Sequence, residues 1–216
     1  MFLGHFAVAF AARPIVPRAS LALLIVAAQF ADVLWPVLVG LGLEEVRIDP
    51  GNTAFTPLDF VAYPYSHSLA LLLVWGVILG AIGRRFIRER AIFPVVAGLV
   101  VSHWLLDWVT HRPDMPLFPG GPQTGLGLWN SIPWTLAVEL AMFAVGVWIY
   151  ARKTRATDAV GRWGYLALVA FLLVAYLSNL VTTPPSVTAI YTVTFAGAAL
   201  LAVWAWWVDG HRVPAP

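Results

Sequence analysis

The chain has no cysteine, which excludes disulfides, thiolate-held zinc and thiol nucleophiles together. The cellular compartment stays open on that count. Charge is scarce as well. Only 11% of residues are charged, against 60% hydrophobic and a mean hydropathy of +0.80. A soluble domain of 216 residues needs far less apolar surface, so the sequence predicts an integral membrane protein. The pI of about 9.2 comes from few charges and implies no nucleic-acid partner. There is no internal repeat, no low-complexity tract and no stretch polar enough for a separate soluble domain, so residues 1–216 read as one membrane domain. A secretory leader is not expected, because Arg13 and Arg18 follow the apolar segment Met1 to Ala12 instead of preceding it. That segment falls short of the ~20 residues a span requires. It reads as a half-helix tucked into the bundle, or as the first part of a segment broken at Pro14 and Pro17.

Six longer apolar runs are present, near 19–43, 66–83, 91–111, 132–151, 163–181 and 186–208. Most can cross a hydrocarbon core of ~30 Å as helices. The expected fold is therefore all-α, a polytopic bundle of about six transmembrane helices plus the N-terminal half-helix. The longest connections, 44–65 and 112–131, are rich in Pro and Gly and read as ordered loops or lids. Eleven of the 13 Lys+Arg fall in alternate connections: Arg13, Arg18, Arg84, Arg85, Arg88, Arg90, Arg152, Lys153, Arg155, Arg162 and Arg212. Only Arg47 and Arg112 fall in the others. The positive-inside rule then puts the basic connections and the C-terminus in the cytoplasm, and 44–65 and 112–131 outside the inner, or cell, membrane.

Against this apolar background the segment Val101 to His111 stands out. His103, Asp107 and His111 recur every four residues, so on a helix they share one face. Imidazole and carboxylate at that spacing can chelate one metal ion, and the aspartate can bridge to a second. The alternative is a polar stripe satisfied by hydrogen bonds inside the bundle. By helical rise Asp107 and His103 lie about 6 and about 12 Å deeper than His111. His67 starts the second run, Asp32 lies in the first and Glu139 in the fourth. All fall in the half of the membrane away from the arginines. His5 lies in the half-helix. Converging ionisable groups in spans are functional candidates, and a shared cation compensates them. Each has a plainer reading: Asp32 as a protonated or Gln29-paired carboxylate, His67 as part of a Ser-capped helix start, Glu139 as a neutral acid. Arg112 is a candidate for neutralising substrate charge, or else an interfacial anchor. His211 reads as a solvated terminus.

The order Gly4-His5, Asp32, Ser66-His67-Ser68 and His103-x3-Asp107-x3-His111 resembles the predicted membrane-bound metal-dependent hydrolases. That family in turn looks like a distant relative of the zinc-dependent phospholipase C and single-strand nuclease superfamily. The resemblance covers roughly residues 4–140, a metal-site core, and leaves the two spans in 163–208 without a matched motif. It implies a zinc held by Asp32, His67, His103 and Asp107, with Asp107 bridging to a zinc that also uses His5, and with His111 belonging to another. The superfamily's later His-x3-Glu/Asp motif is absent, so one or two ions are implied. Iron or manganese also suit such ligands.

The expected function is thus metal-dependent hydrolysis, with Asp32 or Glu139 as base, of a phosphoester in a membrane lipid or other amphiphilic, lipid-linked substrate at the outer face. Three alternatives are a metal or proton transporter, a protein with a purely structural metal, and a metal-free lipid-phosphate phosphatase. The last shares Pro64-Tyr-Ser-His67 and His103-x3-Asp107 but lacks that group's phosphate-holding Arg and Lys motifs. An intramembrane zinc protease ranks lower still, since His-Glu-x2-His is absent and Glu44-Glu45 lies at an outer helix end close to Arg47. The sequence sets neither substrate nor oligomeric state.

Overall fold

A computed structural model describes residues 1–216. The fold is all-α, with nine α-helices and three short two-stranded antiparallel sheets that tie loops at the ends of the bundle. The apolar segment before the first arginine forms α1 (Leu3–Ala12), a half-helix buried along most of its length. It lies against α7 (Ile132–Lys153), where a Cβ at Gly146 would collide with the Ala7 carbonyl oxygen. The missing side chain lets the two backbones touch, a common device where helices pack without water.

The first long run is not one straight helix. It forms α2 (Leu21–Ala28) and α3 (Phe30–Gly40), bent by 58° at Gln29. Then come the one-turn α4 (Pro64–His67), α5 (Leu69–Phe86) and α6 (Ile92–Thr110). The chain closes with α7, α8 (Tyr165–Ser178, entered through a π-helical turn at Val160–Gly164) and α9 (Val187–Gly210). Five helices are long and apolar enough to cross a membrane, and six spans result if α2 and α3 count as one. Leu73, Val74, Val77, Ile78 and Ile82 of α5 all face outward. Such a continuous apolar exterior suits lipid and not water.

The ends of the bundle sort as the arginines imply. Arg18 donates to the Arg88 carbonyl and its amide to Glu89, joining the first and third connections. Strand β5 (Thr154–Ala156) pairs with β6 (Arg212–Pro214) at this same basic end. At the other end β1 (Glu45–Ile48) pairs with β2 (Leu58–Ala62), and β3 (Met115–Pro116) with β4 (Gln123–Thr124). The two loops meet there, since the Phe55 amide donates to the Trp129 carbonyl. They are ordered, as expected, but the hairpin β1–β2 goes beyond the sequence reading.

Near the basic end lies a polar knot that the sequence did not announce. Asp209 of α9 is buried and accepts from Arg13 Nε through both oxygens at 3.1 Å. It also accepts from the Leu21 amide at 3.0 Å and the Tyr150 hydroxyl at 2.8 Å. One carboxylate thus fastens the end of α1, the start of α2, α7 and α9. Between this knot and the opposite end the core is apolar, with Phe6, Phe10, Leu24, Phe143 and Leu168 buried.

Candidate metal centre

The centre is built on α6. His103 and Asp107, one turn apart, are both buried. The bend at Gln29 presents the Ala28 carbonyl to His103 Nδ1 at 2.8 Å. A carbonyl can only accept, so Nδ1 carries the proton and Nε2 offers its lone pair to the interior. That nitrogen lies 3.0 Å from Asp107 Oδ2, yet no hydrogen bond aligns between them. His5 approaches from α1. Its Nε2 is 3.0 Å from Asp107 Oδ1, and its ring stacks on His103 with centroids 3.8 Å apart. Beside it the main-chain nitrogen of Met1 also contacts Asp107. The Met1 side chain folds over Gly4, with Sδ in the space a Cβ there would take.

The second half of the centre comes from α3 and α4. His67 Nε2 lies 3.5 Å from Asp32 Oδ1 and 3.8 Å from Asp107 Oδ2. His103 Nε2 lies 3.8 Å from Asp32 Oδ1. His67 owes its aim to Glu44, which is not among the sequence candidates. The β1–β2 pairing sets Glu45 opposite Ala62 and so brings Glu44 beside α4. Its Oε1 accepts from the Tyr65 and Ser66 amides at 2.8 and 2.9 Å, serving the free N–H groups of a helix start. Its Oε2 takes the Ser66 hydroxyl proton at 2.6 Å. Ser66 Oγ therefore accepts from His67 Nδ1 at 2.7 Å, and Nε2 is left as the lone-pair nitrogen. The nearest sequence signal for this relay is Ser66 itself, next to the histidine.

Two groups result, His5–His103–Asp107 and Asp32–His67–His103. In each the candidate ligand atoms all lie within 4.8 Å of one another. His103 belongs to both, and Asp107 Oδ2 faces the second group as well as the first.

Three sequence candidates stand apart. The i, i+4, i+8 stripe loses its last member, because α6 ends at Thr110 and His111 is extended, with ψ 149°. His111 lies in neither group. Its Nδ1 meets Asp114 Oδ1 at 3.0 Å and the Tyr63 hydroxyl at 3.3 Å. Burial would raise the Asp114 carboxyl, but hydrogen bonds from His111, Tyr63 and Arg112 hold it below the usual carboxylate range. It therefore stays ionised and orients His111. Glu139 lies in neither group: its Oε2 accepts the Phe2 and Leu3 amides at 2.8 and 2.7 Å, anchoring the start of α1, while its Oε1 is buried without a hydrogen-bond partner. Arg112 is spent on the loops. It donates to Asp114, Asp59 and Asn52, so its charge is already matched. His211 bonds Asp158 at the basic end, as its reading as a solvated terminus implies.

Asp32, His67, Asp107 and His111 line one wall of a cavity of about 420 Å³. The facing wall comes from α8 and α9, the spans without a motif. The cavity lining therefore extends past residue 140, while every residue of the two candidate groups lies before it.

The residues fit a transition metal. Imidazole nitrogens and carboxylate oxygens without thiolate suit zinc, with iron or manganese next. The unpaired, buried Nε2 of His103 marks where such an ion is wanted, since an orphaned buried polar atom costs about 1–3 kcal/mol. Both histidines on the Asp32 side have Nδ1 fixed by an acceptor, the outer-sphere support usual for metal-bound imidazole. No protein-family model, curated protein or solved structure matches the chain.

The Glu44 relay yields a first prediction. Glu44→Ala should weaken metal binding by about 10–100-fold, the usual effect of losing a partner behind a ligand, while Glu44→Gln, which can still accept from Ser66, loses less. Titration of the metal-stripped protein checks this, and unchanged affinity in Glu44→Ala would show that the relay does not aim His67.

Proposed function

We propose that the chain is an integral membrane, metal-dependent hydrolase that cleaves a phosphoester of a lipid or lipid-linked substrate. The observation that carries this reading is one cavity lined both by Asp32, His67 and Asp107 and by mostly apolar residues of α8 and α9. Asp32, His67, His103 and Asp107 would hold one ion, and His5 with Asp107 a second, as the resemblance to the membrane-bound metal-dependent hydrolases implies. Such an ion, zinc for preference, supplies Lewis acidity toward a phosphoryl oxygen and makes water acidic near neutral pH. The protein supplies orientation and proton handling. Glu44 and Ala28 fix the imidazoles, and the half-buried Asp32, with its side chain 34% exposed against 3% for Asp107, would hold the ion on the side that opens onto the cavity. Following the positive-inside rule, we place the centre toward the extracytoplasmic side of the cell membrane and the C-terminus in the cytoplasm.

Specific features weigh against the rivals. A transporter needs a polar path onward, but an apolar core follows the centre, and the Asp209 knot beyond it is saturated. A structural metal site is closed by buried protein ligands, whereas Asp32 opens onto the cavity. A metal-free phosphatase needs a free cation for phosphate, and Arg112 is committed to two carboxylates.

The test is a panel of phospholipids and lipid-linked phosphates with the protein reconstituted in vesicles, its sidedness established by protease accessibility of the C-terminus. Turnover should stop when an impermeant chelator is added on the side away from the C-terminus, and return with Zn²⁺. Turnover that survives chelation from both sides would revive the metal-free phosphatase, and tightly held metal with no turnover would favour the structural role.

A further inference from the structure

Helices α8 and α9 bring no ionisable group to the cavity, yet they form its far wall. On α9, Val193, Gly197 and Leu201 recur every four residues and share one face. Phe171 and Ala175 do the same on α8, and all five line the cavity. A side chain built on Gly197 would meet nothing within 4 Å, so the wall has a gap in its middle. Of the three polar residues these helices add to the lining, Ser178 Oγ and Asn179 Nδ2 donate to carbonyls of their own helix, and Thr194 is the third. From Val193 to Leu201 the face runs about 12 Å along α9 at the usual helical rise.

We propose that this channel between α8 and α9 holds a hydrocarbon chain of the substrate, with Gly197 setting how much of the chain it admits. The identity of the headgroup chemistry rests on the hydrolase reading above, but chain binding does not require turnover. Continuity selects the occupant. A wholly apolar ligand would cover the polar lining at Asp32 and His67 and make no use of it, and a soluble phosphoester would leave the apolar lining unfilled. Only an amphiphile, with its phosphate at the ion that Asp32 and Asp107 would hold and a chain against Val193, Gly197 and Leu201, matches both parts of the cavity lining. Holding the chain also positions the bond to be cut.

The experiment uses the full chain in nanodiscs with two probes, an acyl lipid phosphate and a prenyl phosphate, each carrying a photoactivatable diazirine in its chain. Val193 is itself 69% exposed and meets lipid from outside, so the diagnostic cross-links should map to Ala175, Gly197, Ala198 and the buried Leu201, and the stronger probe identifies the kind of chain. Gly197→Phe fills the gap and should cut this labelling by at least about 10-fold, in the range a misfitted apolar pocket exacts, with metal content unchanged. Gly197→Val is a milder filling and serves if the phenylalanine variant does not assemble. Labelling undiminished in folded, metal-loaded variants, or spread equally over Val74 and Val77 on the exterior of α5, overturns the channel. If wild type turns over lipid and Gly197→Phe does so at the same rate with the same labelling, the channel fails while the hydrolase reading stands. Gly197-sensitive labelling without turnover of any lipid leaves the channel standing and sinks the hydrolase.

Discussion

Asp107→Asn is expected to strip the centre of its metal. Asp107 is the one buried carboxylate that faces both candidate groups, with Oδ1 toward His5 and Oδ2 toward His103 and His67. Asparagine keeps the shape but removes the charge and puts an N–H₂ where one oxygen was. The imidazole nitrogens it would face hold lone pairs, since Ala28 and Ser66 take the protons on the far side of His103 and His67. Removing a residue behind a ligand costs 10–100-fold in affinity, so loss of the bridging carboxylate itself should cost at least about 100-fold. Glu139→Gln is the matched control. It alters another buried carboxyl, but one that anchors the Phe2 and Leu3 amides, and metal content should stay near wild type. Metal analysis of the two purified variants decides the point. Equal metal in Asp107→Asn and wild type would remove Asp107 from the centre.

The second large effect lies at the other end of the bundle and concerns stability alone. Asp209→Leu should destabilise the fold by about 3–5 kcal/mol, because it leaves the buried Arg13 guanidinium without its partner. The Leu21 amide and Tyr150 hydroxyl lose an acceptor in the same step. The paired variant Arg13→Met with Asp209→Leu removes both charges, and it should lose clearly less than the single Asp209→Leu. Thermal unfolding in detergent measures both. Metal bound per folded chain should not change, since an apolar core separates the knot from the centre. A double variant no more stable than Asp209→Leu would mean that the hydrogen bonds, and not the stranded charge, carry the cost.

The two ends were not equally legible. His103 and Asp107 could be read from spacing because a helix puts i and i+4 on one face, and in an apolar helix no other polar group competes for notice. The alternation of arginines was legible for a similar reason: eleven basic residues in alternate connections make a strong pattern, and contacts such as Arg18 with Glu89 and β5 with β6 bear out the shared end. Asp209 was hidden because its partners Arg13, Leu21 and Tyr150 are distant along the chain, and Arg13 counted only as one more basic residue. Glu44 was hidden because a loop carboxylate acquires meaning only when a hairpin folds it onto α4. The bend at Gln29 leaves no trace in apolarity, since α2 and α3 read as one run. His111 misled because the helical period was carried one residue past the end of α6. The wall from α8 and α9 was illegible in principle. Apolar residues that face lipid, a neighbouring helix or a cavity look alike in a membrane sequence, and only packing separates Gly197 from any other small residue.

The most direct measurement is metal content and identity in the wild-type protein, purified without chelators, by elemental analysis together with X-ray absorption at the metal edge. One or two transition-metal ions per folded chain, zinc first among them, with nitrogen and oxygen neighbours and no sulfur, is the result predicted by the convergence of His5, Asp32, His67, His103 and Asp107. A folded, monodisperse protein that holds no metal and takes up none on titration with Zn²⁺, Fe²⁺ or Mn²⁺ would contradict it.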